Sequence, residues 1–157
     1  MHSERTMAQI VIVAHAPLAS SLQAVAQHVY PDAGQRLTAV DVPAGAGLDE
    51  VERSLREALA PMLERGDEVL LLVDVFGATP CNAALAAVDG PRARIVAGVN
   101  VPMLWRTLCY ASMPLDDLVA RAVAGASQGV MHVAVPRRQN QTPLASSHDP
   151  VQHHHQQ

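Results

Sequence analysis

Six residues from Gln9 to Ala14 form a nearly unbroken β-branched and apolar run, the pattern of a strand covered on both faces. Beyond it the period changes. Leu18, Leu22, Val25 and Val29 recur at helical spacing, so the pattern predicts an amphipathic helix from Pro17 to about Tyr30, with Pro17 in its first turn. Pro31-Asp32-Ala33-Gly34 ends it. Leu37–Val42 predicts a second short strand, followed by the loop Pro43–Gly47. Leu48, Val51, Leu55, Leu59 and Met62 mark the apolar face of the next helix, with Pro61 arguing for a kink or an early finish. Gly66-Asp67 precedes a third strand, Glu68–Val73. Thr79 and Pro80 suit an N-cap and a first helical position, and that helix closes near Asp89-Gly90-Pro91. Arg94–Ala97 reads as a fourth strand, Met103–Tyr110 as a helix, and Leu115, Leu118, Val119, Ala122, Val123 and Ala126 as another. A last apolar run spans Val130–Val135.

Strands alternating with helices imply an α/β fold: a doubly wound, mainly parallel sheet with helices on both faces. In the common strand order 2-1-3-4 the chain reverses direction between strands 1 and 3. Ligand sites in such sheets lie at that reversal, outside the carboxyl ends of the strands. His15 follows strand 1 and Asp74 ends strand 3, so this order brings them to one place.

With 157 residues, 49% of them hydrophobic, the chain suffices for one domain with a substantial core. The domain is expected over residues 9–135, between a disordered extension (1–8) and a polar, low-complexity tail (136–157). The net charge is −4, and all eleven basic residues are arginine. No basic face or polybasic run suggests a nucleic acid or a membrane surface as partner. Two cysteines, Cys81 and Cys109, fit a reducing compartment better than a disulfide scaffold. The apolar run at the start is too short for a signal peptide or a membrane span. These features place the protein in the cytoplasm.

The residue types at the two strand ends define a chemistry. A neutral imidazole is nucleophilic through one ring nitrogen when the other carries the proton. A carboxylate that accepts this proton's hydrogen bond sets the tautomer and steadies the developing cation. Asp74 suits that role for His15. Gly77-Ala78-Thr79 at a helix start offers backbone N–H groups and the positive end of a helix dipole to a phosphoryl group. Each residue alone fits an ordinary turn; their joint placement favours phosphoryl transfer through His15.

Ile10–His15, Leu71–Asn82 (LLVDVFGATPCN) and Val96–Leu104 (VAGVNVPML) together resemble the IIA component of the mannose family of the sugar phosphotransferase system. The resemblance runs from about Gln9 to Val135. It implies a parallel α/β sheet and a homodimer in which a C-terminal antiparallel strand is exchanged. It also implies a cytoplasmic phosphotransferase component without a cofactor or metal, at most peripheral to a membrane IIC/IID complex. The implied partners are HPr, which phosphorylates the histidine, and a IIB component in trans, which receives the phosphate for carbohydrate uptake. The phospho-acceptor role falls on His15 and the orienting role on Asp74. Gly77, Ala78 and Thr79 correspond to the phosphate loop, and Asn100 and Met103 to a segment near the site. This sequence departs from many relatives at Ala14 and Ala16-Pro17, which flank the histidine, and at Ala78, where a second glycine is common.

The alternative is a stand-alone regulatory IIA protein whose phosphorylation state controls protein partners. A signalling receiver phosphorylated on Asp74 is disfavoured, because the chain has no lysine and no acidic pair after strand 1. Cys81 and Cys109 read as core residues, Trp105 and Tyr110 as packing or dimer contacts, and His153-His154-His155 as incidental metal binders. Asp41, at the end of strand 2, fits a turn role or a site role equally.

Overall fold

The computed structural model describes residues 7–139. The expectations for residues 1–6 and 140–157, including the histidine run, lie outside the described residues. Four strands, β1 (Gln9–His15), β2 (Leu37–Val42), β3 (Val69–Val73) and β4 (Ala93–Ala97), form one all-parallel sheet in the order β2-β1-β3-β4. The helices are α1 (Leu18–Val29), α2 (Leu48–Glu64), α3 (Thr79–Ala87), α4 (Val101–Cys109) and α5 (Leu115–Gln128), with a 3-10 turn at Pro31–Gln35.

The period-2 geometry of the two central strands divides the core into two layers. Ile10, Ile12, Ala14, Leu70 and Leu72 face one side and pack with residues of α1, α4 and α5. Val11, Val13, Val69, Leu71 and Val73 face the other and pack with residues of α2 and α3. Both faces of β1 and β3 are therefore dry, which explains why neither strand shows a polar alternation. Ala8 is also buried and donates its N–H to Ala111 O at 3.0 Å, so the packed domain reaches back into the segment expected to be an extension.

Element boundaries shift where local chemistry is permissive. Pro61 sits inside α2 without ending it. It falls in the last turn, and both Pro61 and Glu57 are exposed, so water can take the carbonyl that proline leaves unpaired. Pro17 precedes α1 at the N-cap position. Ala78, in extended backbone, is the N-cap of α3, and Thr79 is its first helical residue, with no side-chain cap bond. Cys81 is buried, whereas Cys109 is exposed, contrary to its expected core role. Thr107 and Leu108 take the buried face of α4, and the helical step turns the next residue outward. The Cys109 Sγ lies 3.2 Å from the Tyr30 hydroxyl. The expected fifth strand is not formed within the single chain. Residues 130–139 carry no regular structure, and Val130, Met131, Val133 and Val135 are exposed.

Candidate functional site

The parallel register β1–β3 sets Val13 opposite Val73, so the next residues of both strands leave the sheet at the same edge. His15 Nδ1 lies 2.6 Å from Asp74 Oδ2. The same oxygen accepts the His15 backbone N–H at 2.9 Å, and Asp74 Oδ1 accepts the Val75 N–H at 2.9 Å. One carboxylate thus fixes both the backbone and the ring of the histidine. Burial pushes the Asp74 carboxyl up, but the His15 amide, the His15 ring and the Val75 amide outweigh it and hold Asp74 below its ordinary range. An ionised Asp74 only accepts, so the ring proton belongs on Nδ1 and the lone pair on Nε2. The His15 side chain is 53% exposed and that of Asp74 only 12%, which leaves the ring open to solvent beside a shielded carboxylate.

Gly77 has φ +86°, a left-handed conformation that turns the chain from β3 into α3. No side chain caps the first turn of α3, and Pro80 has no N–H, so the amides of Thr79 and Cys81 are the donors this helix start carries. Ala78 and Thr79 are half-buried at this start. The β4–α4 loop runs alongside, with the Gly98 and Val99 N–H groups both donating to Val73 O at 3.0 Å. Asn100 lies in that loop, but its polar atoms are engaged structurally. Its Oδ1 caps α4 through the Met103 N–H at 2.9 Å, and its Nδ2 donates to Ala126 O at 3.3 Å. Met103 is buried in the core. Ala14 likewise points into the core, so its departure from the family pattern does not face the histidine.

The loops that leave the four strand ends (residues 16–17, 43–47, 74–78 and 98–100) contain no arginine. Arg36, Arg65 and Arg92 precede strands and lie toward the opposite edge. The rim of the site is apolar instead: Phe76 is 79% exposed and Val75 50% exposed, and Leu18 is exposed beyond His15. These rim residues were not among the candidates read from the sequence. The signal available was the chain's single phenylalanine standing in a loop. A cleft of about 380 Å³ between α4 and α5, lined by Trp105, Arg106 and Tyr110 among others, includes neither His15 nor Asp74. Among the described residues no cluster of three or more His, Cys, Asp or Glu could hold a metal ion. None of their helices is long and apolar enough to cross a membrane.

Residues 9–123 match the EIIA-man family, described as the PTS system fructose IIA component. The chain belongs to this family. It is 31% identical over 124 residues to the fructose-specific EIIA component of Bacillus subtilis, covering 78% of this chain and 84% of that protein. It is 45% identical over 65 residues to the mannose-specific EIIAB component of Escherichia coli, of which those residues span only 20%. Among solved structures, the mannose/sorbose-specific IIA subunit from Enterococcus faecalis superposes with a TM-score of 0.74 at 25% identity, covering 85% of this chain and 99% of that one. An EIIA component from Streptococcus agalactiae has the same fold, with a TM-score of 0.70 at 23% identity. The four-stranded parallel sheet with helices on both sides is the fold of this mannose-type IIA family.

Proposed function

We propose that this IIA component is a phosphocarrier that accepts a phosphoryl group from phospho-HPr on His15 Nε2 and passes it to a IIB component in trans. The carrying observation is the 2.6 Å contact of Nδ1 with a depressed carboxylate, which leaves Nε2 as the free, exposed nucleophile. In the acceptance step the Nε2 lone pair attacks phosphorus, the phosphorus–nitrogen bond of the donor breaks, and that electron pair returns to the donor histidine. Asp74 stabilises the charge that develops on the His15 ring. The reverse role follows when a IIB residue attacks phosphorus and His15 leaves. Gly77, Ala78 and Thr79 would face the phosphoryl oxygens with the uncapped start of α3, which supplies the electrostatic stabilisation this transfer needs. An apolar rim of Leu18, Val75 and Phe76 fits docking by proteins rather than binding of a sugar.

The reading includes a cytoplasmic homodimer in which Val130–Val135 pairs with the partner. Exposed apolar side chains along that segment and the free edge of β4 support it. Light scattering should give a dimer mass, and truncation after Gly129 should give a monomer. The carrier reading is tested with enzyme I, HPr and labelled phosphoenolpyruvate. One acid-labile, base-stable label per chain is expected, lost in His15→Ala. A label that survives this substitution, or one that is base-labile, would sink the proposal.

A further inference from the structure

Asp41 takes no part in the His15–Asp74 pair, yet it grips the helix that begins just after the nucleophile. It lies near the end of β2, opposite Ala14 in the register, and is half-buried. Its Oδ1 accepts the Ser20 N–H, in the first turn of α1, at 3.0 Å. That helix has no cap of its own: Pro17 stands at the N-cap position without a side-chain acceptor, and the first turn contains no acid. Next to Asp41, Val42 O accepts the Ala16 N–H at 2.9 Å. Two consecutive residues of β2 therefore hold the turn from Ala16 to Ser20 at both ends. The Val42 contact is backbone and would survive any side chain. The Asp41 contact depends on a side-chain oxygen at one distance from its strand.

We propose that Asp41 is a positioning residue for phosphoryl transfer, a role that rests on the carrier reading above. Its oxygen fixes the start of α1, and with it the turn that anchors His15 on the carboxyl side, while Asp74 anchors the histidine on the amino side. Without that oxygen the first turn of α1 loses its acceptor and frays. His15 Nε2 then samples positions out of line with the start of α3, and transfer is sensitive to misplacement on the order of 1 Å. A carboxylate here also complements the α1 dipole. Acting by charge and acting by position make opposite demands on conservative replacements.

Three variants separate them. Asp41→Asn keeps an oxygen at the Oδ1 position and removes the charge. Asp41→Glu keeps the charge and moves the oxygen by one methylene. Asp41→Ala removes both. Each is assayed for phosphoryl acceptance from phospho-HPr, with kcat and KM resolved, and for hydrogen exchange at the Ser20 amide. The expectation is that Asp41→Asn stays within about threefold of wild-type kcat with a protected Ser20 amide. Asp41→Glu and Asp41→Ala should lose roughly tenfold in kcat at nearly unchanged KM, with fast Ser20 exchange. Should Asp41→Ala fail to fold, the Asn and Glu pair still decides. Wild-type kcat in Asp41→Glu, or a loss in Asp41→Asn as large as in Asp41→Ala, overturns the positioning role. If the wild type takes up no label, the carrier reading falls and this inference with it. If the wild type is labelled and all three variants match it, this inference alone falls.

Discussion

Replacing Asp74 with asparagine exchanges one oxygen for an NH₂ group at a carboxylate that faces three donors. These are the His15 N–H and ring Nδ1–H on Oδ2 and the Val75 N–H on Oδ1. An asparagine keeps two of these bonds by placing its oxygen at the Oδ2 position, with its NH₂ against the Val75 N–H. The Nδ1–H tautomer then persists, but the acceptor is neutral. Hydrogen bonds to charged groups contribute about 1.5–3 kcal/mol and neutral ones about 1. The transition state, in which the ring gains positive charge, therefore loses about 0.5–2 kcal/mol. At about 1.4 kcal/mol per tenfold in rate, acceptance should slow by roughly 2- to 30-fold. The half-exposed ring lets water screen part of the lost charge, which favours the lower end. The assay is rapid-quench transfer from labelled phospho-HPr at saturating donor. A variant within twofold of the wild type would refute the claim that the Asp74 charge acts on the transferring ring.

The same pair fixes a pH dependence. Folding lowers the Asp74 pKa, so its contribution to stability is fully present above the unfolded value of about 3.9 and is lost as pH falls through the lower folded value. The Tm gap between wild type and Asp74→Asn should close as the pH falls below about 4; a gap that went on widening below that pH would contradict the assignment. Gly125→Ala should destabilise by about 1–3 kcal/mol in urea unfolding, because an added Cβ would sit 2.8 Å from Arg106 Cβ, where α5 packs on α4.

Much of this protein was legible in its sequence because the signals were local. The β-branched run ending in His15 and the apolar run ending in Asp74 needed only hydrophobic period and composition to read as buried strands. The alternation of strands and helices then led to the parallel order 2-1-3-4, which the structure bears. Errors appeared where a residue's role is set by something distant. Ala8 looked like part of a polar extension because its partner, Ala111, is far away in sequence. Cys109 looked like core because one apolar residue on a short helix does not reveal which way it turns. Asp41 stayed ambiguous because the amide it holds, that of Ser20, lies twenty-one residues earlier.

The amino-acid sequence by itself determined the elements, the two-sided burial of the central strands and the placing of His15 and Asp74 at the ends of two strands, since all follow from side-chain type and spacing along the chain. Only the tertiary structure decided which ring nitrogen is free, that Asn100 is spent on capping α4, and that Asp41 caps α1. Hydrogen-bond direction and distance depend on how elements are juxtaposed in space, and a linear pattern does not encode that juxtaposition.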